Sequence, residues 1–375
     1  LIKTALRRAL AAADAVVVCG GLGPTFDDLT REAAAAALGR PLSFKPHLWS
    51  GILKRLTRYT VPIPEENKRQ AQVIAGAEVL ANRVGSAPGQ RLEMRGRDGR
   101  PRSLILLPGP YLEMAPMFER ALPRLAARHA RGLASASMTL RLAGISESSA
   151  DERLDGVRAL FPDAQFTILS SGGEVSFHAT VTERTAPAAR ATLAALRQKA
   201  MTAIGCWVYG SGETTLESAV GARLKKRRLT LAVAESCTGG LLGGRITTVP
   251  GASAWFTGGI IAYSNAVKTR RLGVSSRLLA RHGAVSAQCA AAMARGARKN
   301  AGADIGVAIT GVAGPQGGTK NKPVGLVFIA LAGPGGRERA RRYEFHGPRE
   351  AVRHRATTAA LALLKEVLDD LAPTA

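Results

Sequence analysis

A serine stands between an apolar run and a pair of glycines at residues 234–240, which read AESCTGG. The apolar residues before it predict a strand and those after it a helix, so the serine would lie at the sheet edge where α/β proteins form their sites. Glycines let a ligand approach the backbone, and a helix N-terminus offers unpaired N–H groups. Ser236 is therefore a candidate nucleophile for acyl transfer, with backbone donors beside it. The alternative is a residue that only caps the helix.

A serine nucleophile needs a base, because its hydroxyl is a poor nucleophile at its own pKa. Three histidines are candidates: His282 lies in a predicted loop, and His346 and His354 flank the start of the last predicted helix. A lysine can also serve, because burial lowers its pKa. Lys268 closes the sequence YSNAVK, which follows an apolar strand and also supplies the phenol of Tyr263. A solvated lysine at a strand end is the alternative, and these residues alone favour that alternative.

Two further glycine-rich loops follow predicted strands. Residues 310–318 read TGVAGPQGG, a loop that either wraps a phosphate or ribose or makes a tight turn. Residues 20–30 read GGLGPTFDDLT and open a predicted helix, which suits a phosphate. The adjacent carboxylates of Asp27 and Asp28 suit a divalent cation that bridges phosphate oxygens. The alternative for this loop is an aspartate-rich helix cap.

The order of predicted elements gives a multidomain α/β chain with domains at residues 1–131, 132–212 and 213–375. The first domain alternates strands, at residues 15–19 and 104–107, with helices, which implies a mainly parallel sheet. The second is a small α+β domain with strands at residues 138–142 and 174–181 and a helix at residues 188–202. The third is α/β: it opens with a capping box of Thr214 and Glu217, has strands at residues 229–234, 305–309 and 324–331, and closes with a helix after Pro348.

Composition narrows the function classes further. No apolar run reaches the roughly 18 residues that a membrane span needs. The four cysteines are far apart in sequence, which argues against disulfides and structural zinc and leads us to expect a cytoplasmic protein. A formal charge of +24 attracts phosphates and would also suit nucleic acid. No basic stretch is interleaved with stacking aromatic residues, so we expect positive charge spread over solvated faces rather than a nucleic-acid site.

Six motifs occur together in the third domain: AESCTGG, GASAWFTGGIIAYSN followed by Lys268, HGAVS, TGVAGPQGG, KPVG, and GPRE followed by Arg353. Their order and spacing resemble the C-terminal domain of the CinA (competence/damage-inducible) family. In that family the domain hydrolyses nicotinamide mononucleotide to nicotinate mononucleotide and ammonia without a cofactor, in pyridine-nucleotide salvage. The resemblance implies that Ser236 is the nucleophile, that Lys268 is its base and that Tyr263 assists proton transfer. It implies substrate binding by Thr238, Gly239, Gly240, Thr310, Gly311, Gly314, Arg349 and Arg353, with backbone N–H groups around residues 238–240 holding either the oxyanion or the phosphate.

The loop GGLGPTFDDLT resembles the GG-x-G-x-x-x-x-D-x-T loop of the molybdopterin-binding fold, in the form found in CinA N-terminal domains. NKRQA at residues 67–71, the asparagine and GSAPG at residues 82–89, and LPGPYLEM at residues 107–114 support it, although Tyr111 replaces a more usual proline. The resemblance implies an ADP-ribose pyrophosphatase-type domain that uses a divalent metal. The implied nucleotide and metal site consists of Gly20, Gly21, Gly23, Asp27, Asp28 and Thr30.

The family's N-terminal domain normally has a strand, a loop, a helix and another strand ahead of the helix at Leu1. We therefore expect the first domain, as given, to be truncated and to have little pyrophosphatase activity. The alternative to an enzyme is a non-catalytic binding protein of competence and recombination. We further expect a homo-oligomer and no membrane partner.

Overall fold

The computed structural model describes residues 1–57, 62–96, 98–129 and 132–371. The chain forms two compact units, Leu1–Gly132 and Leu133–Ala375, and its class is mixed α/β as predicted. The predicted end of the first domain, at residue 131, and the last four residues of the predicted third domain lie outside the described residues. Among the helices of the described ranges, none is long and apolar enough to cross a membrane.

The first unit is built on one four-stranded sheet with a separate pair of short strands. Its elements are α1 (Ile2–Ala12), β1 (Ala15–Cys19), α2 (Thr30–Leu38), β2 (Leu42–Phe44), α3 (Pro46–Leu56), β3 (Gln72–Ile74), β4 (Glu78–Leu80), β5 (Gly89–Arg95), β6 (Pro101–Leu107) and α4 (Tyr111–His129). The strand order is β1-β6-β5-β4, with β1 and β6 parallel and the other two pairs antiparallel. This sheet is mixed, and its parallel pairing is confined to β1 and β6. The glycine-rich loop begins at the carboxyl end of β1 and leads into α2, as the sequence predicts.

The second unit begins with a four-stranded sheet and two helices. Its elements are β7 (Ala134–Ala143), α5 (Glu147–Leu160), β8 (Gln165–Ser171), β9 (Glu174–Glu183), α6 (Ala186–Ile204) and β10 (Val208–Ser211). The strands are all antiparallel in the order β10-β7-β9-β8. Alternate residues of β9 point to a core shared with α5 and α6, which confirms the predicted α+β character of this segment.

The rest of the second unit is a five-stranded sheet covered by helices on both faces. Its elements are α7 (Leu216–Arg227), β11 (Leu231–Glu235), α8 (Leu241–Thr247), β12 (Phe256–Ile261), α9 (Asn265–Leu272), α10 (Ser276–His282), α11 (Ala287–Asn300), β13 (Ile305–Gly311), β14 (Leu326–Ala332), β15 (Glu338–Glu344) and α12 (Arg349–Asp370). The order is β12-β11-β13-β14-β15, in which β12, β11 and β13 run parallel and β14 and β15 antiparallel.

The two faces of this sheet carry different side chains. Leu231 and Val233 of β11 pack with α7, α8 and α12, whereas Ala232 and Ala234 pack with α9 and α11. Small residues on the second face let α11 lie close to the strands, since a Cβ on Gly306 would come within 2.1 Å of a backbone oxygen of α11. Close packing of this kind holds β13 and its neighbours in place against α11.

The capping box at the start of α7 lies one residue later than predicted. Thr215 is the N-cap, and its side chain and that of Ser218 bond each other's backbone N–H groups. The hydroxyl of Thr214 instead donates to the carbonyl of Ser211. Ser218, not Glu217, occupies the third helical position. The Glu217 carboxylate pairs instead with Arg245 of α8.

Arg245 of α8 joins the two sheets of the second unit. Its guanidinium lies 2.5 Å from Glu217 and 3.1 Å from Glu174, and it donates to the hydroxyls of Thr357 and Thr358 at 3.0 and 2.7 Å. An arginine with four acceptors from three other elements fixes the position of α8, since a guanidinium presents its donors in a rigid fork. The turn that precedes α8 carries Ser236.

Candidate active site

Ser236 lies directly after β11, at the carboxyl end of the three parallel strands. Its N–H donates to the carbonyl of Ile309 on β13 at 3.0 Å, which continues the ladder by one residue and fixes where the side chain begins. The side chain is 8% exposed. Gly239 and Gly240 have φ values of 60° and 97°, in the left-handed region that residues with a Cβ rarely adopt. These glycines let the chain turn sharply from the strand into α8.

Glu235 holds this turn in place, a role that the sequence motif does not reveal. Its buried carboxylate accepts the N–H groups of Gly240 and Leu242 at 3.0 Å and that of Gly243 at 2.8 Å. These are the donors that a helix N-terminus normally leaves open to a ligand. The N-terminus of α8 is therefore already occupied by a carboxylate of the chain. The one sequence feature that could have indicated this role is an acidic residue just ahead of a predicted helix, where the helix dipole favours negative charge.

The donors that remain free differ from the expected set. The N–H of Gly239 bonds the carbonyl of Ser236 at 3.1 Å, and that of Gly240 bonds Glu235. Among the described residues, the N–H groups of Cys237 and Thr238 have no acceptor in another residue, and the buried hydroxyl of Thr238 has no partner either. The N–H groups beside Ser236 that could hold an oxyanion are thus those of residues 237 and 238.

The thiol next to the serine is a poor rival nucleophile. Cys237 is buried, and this desolvation raises the pKa of its thiol to about 11. The thiolate is the reactive form of cysteine, so a raised pKa leaves little of it at neutral pH.

Lys268 meets Ser236 across the sheet edge. The lysine lies on α9, which begins at a cap formed by the Ser264 side chain and the N–H of Val267. Its ammonium nitrogen is 3.0 Å from the Ser236 Oγ, 2.7 Å from the carbonyl oxygen of Ala262 and 3.2 Å from that of Tyr263. The side chain is 1% exposed. The lysine is therefore buried against the serine, which contrasts with the solvated lysine of the alternative interpretation.

The surroundings of Lys268 favour its neutral form. Burial lowers the pKa of the amine, and the cysteine thiols nearby oppose this only in part. Within the described part of the chain, Lys268 forms no ion pair with a carboxylate. A neutral amine has two N–H groups and one lone pair. If the two carbonyl oxygens accept the two N–H groups, the lone pair points to the third neighbour, the hydroxyl of Ser236.

Tyr263 lies at the rim rather than at the serine. Its side chain is 63% exposed, and its hydroxyl accepts a hydrogen bond from Nη2 of Arg349 at 3.2 Å. The backbone carbonyl of Tyr263, not its phenol, contacts Lys268. Arg349 also donates from Nη1 to the carbonyl of Gly314 at 2.8 Å, so it connects the loop after β12 to the glycine-rich loop after β13.

Arg353 lies one helical turn after Arg349 and reaches the serine turn. Its Nη2 donates to the carbonyl of Thr238 at 2.7 Å and lies 3.5 Å from where a Cβ on Gly239 would be. Its Nε is buried and has no partner among the described residues. The two arginines therefore place positive charge beside Ser236 from the first turns of α12.

The residues at the end of β13 have mainly structural contacts. The Thr310 hydroxyl donates to the carbonyl of Ala284 at 2.8 Å, and a Cβ on Gly311 would lie 2.6 Å from a backbone oxygen of β14. Gly314 has φ 80°, and a Cβ there would lie 2.5 Å from Val324. His282 offers its backbone carbonyl to Lys322 at 2.9 Å, and the place beside Ser236 is taken by Lys268.

The glycine-rich loop of the first unit also closes on itself. Gly20 donates to the carbonyl of Leu107 at 2.9 Å, and the N–H of Thr30 bonds the carbonyl of Gly21 at 3.1 Å. Gly21 has φ 71°, and a Cβ there would lie 2.2 Å from the hydroxyl oxygen of Thr30. The N–H groups of Gly21 and Leu22 have no acceptor within the described ranges, whereas that of Gly23 bonds the Asp28 carboxylate. Consecutive free N–H groups of this kind form a concave anion site.

Asp28 has a local partner, while Asp27 is exposed. The Asp28 carboxylate accepts the N–H of Thr25 at 2.9 Å and also its hydroxyl. Burial raises the pKa of Asp28, but the hydrogen bonds from Thr25 and Gly23 outweigh it and leave that pKa below its ordinary value. The described residues contain no group of three or more histidine, cysteine, aspartate or glutamate side chains placed to hold a metal. A metal at this loop stays a prediction that rests on Asp27 and Asp28.

Two family models match separate parts of the chain, and relatives match nearly all of it. A family model described as "CinA C-terminal domain" matches residues 213–368, and one described as "Probable molybdopterin binding domain" matches residues 1–127. A relative from Moorella thermoacetica, whose name describes a competence-damage inducible protein, is 43% identical over 97% of this chain and 86% of its own length. A "CinA-like protein" from Koribacter versatilis is 42% identical over 98% of this chain and 88% of its own. A crystal structure of a CinA superfamily protein from Klebsiella pneumoniae is 37% identical, covers 42% of this chain and 97% of its own, and has a TM-score of 0.41.

Proposed function

The chain belongs to the CinA family, and we propose that its C-terminal domain is a nicotinamide-nucleotide amidase, which converts nicotinamide mononucleotide and water to nicotinate mononucleotide and ammonia. The observation that supports this most is the 3.0 Å contact between the Lys268 amine and the Ser236 hydroxyl in a buried setting. A nucleophile paired with a base is what amide hydrolysis by a serine requires. We place this activity in cytoplasmic pyridine-nucleotide salvage.

In the first step, the Ser236 oxygen attacks the carboxamide carbon while neutral Lys268 takes the hydroxyl proton. The carbonyl oxygen becomes an oxyanion, which the free N–H groups of Cys237 and Thr238 would hold. Protonated Lys268 then gives its proton to the amide nitrogen, the carbon–nitrogen bond breaks, and ammonia leaves. An ester between Ser236 and the nicotinoyl group remains.

In the second step, Lys268, neutral again, takes a proton from water, and the hydroxide attacks the ester carbon. Lys268 returns the proton to the Ser236 oxygen as the ester bond breaks, and nicotinate mononucleotide leaves. The reaction needs no metal or redox group, because the lysine carries the proton in both steps.

The charged rim suits the rest of the substrate. Arg349 and Arg353 stand at the N-terminus of α12, where positive charge is not favoured by the helix dipole, so a phosphate would compensate both. The exposed ring of Tyr263 next to Arg349 suits the pyridinium ring. We therefore assign the phosphate to the arginines and keep proton transfer by the Tyr263 phenol as a prediction.

The test measures ammonia release from nicotinamide mononucleotide by the full chain and by Ser236→Ala. The wild type should release ammonia, and the variant should lose at least about three orders of magnitude in rate while still binding the substrate. Ser286→Ala is the matched control, because Ser286 caps α11 and its loss costs stability but no nucleophile. A wild type that binds the nucleotide without releasing ammonia would favour a non-catalytic binding protein of competence.

We also propose that the loop at residues 20–30 of the first unit binds the diphosphate of a nucleotide such as ADP-ribose. The two consecutive free N–H groups at Gly21 and Leu22 support this second site. Calorimetric titration with ADP-ribose, with and without Mg²⁺, tests it. Binding that Asp28→Asn leaves unchanged in Mg²⁺ would remove Asp28 from the metal site.

A further inference from the structure

A depression of about 530 Å³ lies at the opposite end of the five-stranded sheet from Ser236. It is formed by the last turns of α11, by Gly302 and Ala303 just before β13, and by the loop from β14 to β15. Since Ile309 of β13 pairs with Glu235 at the other end, this depression is separate from the serine site.

Four cationic side chains line the depression with a single carboxylate. Arg295 donates to both carboxylate oxygens of Glu338, at 2.8 and 2.7 Å. Arg298, Lys299 and Arg337 have no side-chain hydrogen bond or ion pair with any residue of the described ranges. The depression therefore carries three cations that form no ion pair with a carboxylate of the described residues.

Ordinary helix stabilisation accounts for only part of this charge. Arg298 and Lys299 lie in the last turn of α11, where a cation offsets the helix dipole. The C-terminus of a helix carries only about half an elementary negative charge, so the positive charge of Arg298 or Lys299 alone exceeds it. The nearby acids have other partners: Asp304, the one acidic residue at positions 236–337, is bonded to Thr230, and Asp370, which lies in the adjoining cavity with Arg337, is bonded to Arg339.

We propose that this depression binds a small ligand with closely spaced phosphate groups. Arginine recognises phosphate through several parallel N–H donors, and two arginines with a lysine can neutralise a diphosphate. The backbone contributes little, since the N–H groups of Gly302 and Gly333 already bond Lys299 and Arg337 carbonyls. The volume exceeds what a diphosphate needs and leaves room for the group that carries it. The inference is independent of the activity proposed for Ser236.

The experiment is calorimetric titration of the full chain with inorganic pyrophosphate at fixed ionic strength. Three proteins are compared: wild type, Arg298→Glu with Arg337→Glu, and Arg277→Glu with Arg281→Glu. The last pair is the matched control, because these exposed arginines of α10 lie outside the depression and their reversal changes the net charge equally. Thermal unfolding of each protein checks the fold. If the first double variant is unfolded, Arg298→Gln with Arg337→Gln replaces it, against Arg277→Gln with Arg281→Gln.

The site variant should lose one binding event or weaken it by about tenfold or more per arginine, while the control keeps wild-type affinity at that event. An equal loss in both pairs would show a general charge effect and overturn the proposal, as would unchanged binding in both. A short DNA duplex is titrated in parallel. If the duplex binds with the same dependence on Arg298 and Arg337 but pyrophosphate does not bind at all, the ligand is nucleic acid and the proposal of a small ligand is wrong.

Discussion

Replacing Lys268 with arginine tests whether this residue supplies the base. Arginine keeps its positive charge at all accessible pH values and cannot accept the serine proton. An amine with the ordinary pKa of 10.5 would be neutral in only about one molecule in a thousand at pH 7.5, and each unit by which burial lowers the pKa raises that fraction tenfold. Loss of the base should lower kcat/KM by about 10²–10⁴-fold. Lys268→Met, which fits the same space without charge, should lose as much.

The assay follows ammonia release between about pH 6 and pH 10, a range chosen around the ordinary lysine pKa. The wild-type rate should rise with pH up to a plateau, since deprotonation activates Lys268, and the limb should lie below pH 10.5 because burial lowers the pKa. Lys365→Arg is the matched control: Lys365 is also buried, and it donates to the carbonyl of Cys206 at 2.6 Å, away from Ser236. Near-normal turnover in Lys268→Arg, or a flat wild-type profile, would refute the reasoning.

The same pKa shift predicts how stability depends on pH. The pKa of Lys268 is lower in the folded than in the unfolded chain, so unfolding takes up a proton between the folded value and 10.5. The cost of burying the ammonium is therefore fully present below the folded pKa and disappears as the pH rises to 10.5. The free energy of unfolding of the wild type, relative to Lys268→Met, should increase with pH over this window in denaturant titrations. A difference that stays constant would show that Lys268 keeps its ordinary pKa.

Three further substitutions test residues that shape the serine site and the glycine-rich loop of the first unit. Glu235→Gln should lower the free energy of unfolding by about 1–3 kcal/mol in urea titrations, because an amide cannot accept all three N–H groups at the start of α8; unchanged stability would mean that the carboxylate does not hold the turn. Arg353→Gln should raise KM for nicotinamide mononucleotide by about tenfold or more with a smaller change in kcat, whereas Arg355→Gln on the same helix should not, and equal effects would remove Arg353 from the phosphate site. Gly21→Ala should lower the thermal midpoint more than Gly99→Ala, because both have φ above 70° but only the Cβ at Gly21 meets Thr30, at 2.2 Å; equal losses would contradict this.

Local patterns in the sequence were enough to predict the positions of most helices and strands. The valine run of β1, the helix that begins at Thr30 and the closing helix after Pro348 all lie where the periodicity predicts them. Each of these depends on neighbours in sequence, which is why a pattern can reveal it. The predicted N-cap of α7 was wrong by one residue, since Thr214 and Thr215 have equal intrinsic preference for the N-cap position. The backbone geometry after β10 decides between them.

The pairing within each sheet is less visible in sequence. Strands alternating with helices predict parallel neighbours, but only five residues separate β5 from β6, and these two strands pair antiparallel. Short connections allow antiparallel pairing, whereas parallel pairing needs a crossover. The first-unit sheet consequently contains a single parallel pair.

For the candidate site, the sequence by itself determined the residue types: a serine after a strand, glycines that allow a left-handed turn, and a lysine shortly after an apolar strand. Only the tertiary structure decided which of them meet. Ser236 and Lys268 are 32 positions apart and lie 3.0 Å from each other because β11 and β12 are adjacent parallel strands whose carboxyl ends share an edge. The structure likewise decided that Glu235 takes the helix N-terminus and that Tyr263 faces Arg349. Such contacts depend on distant parts of the chain, and burial, which lowers the pKa of Lys268, is a property of the packed fold and not of the residue.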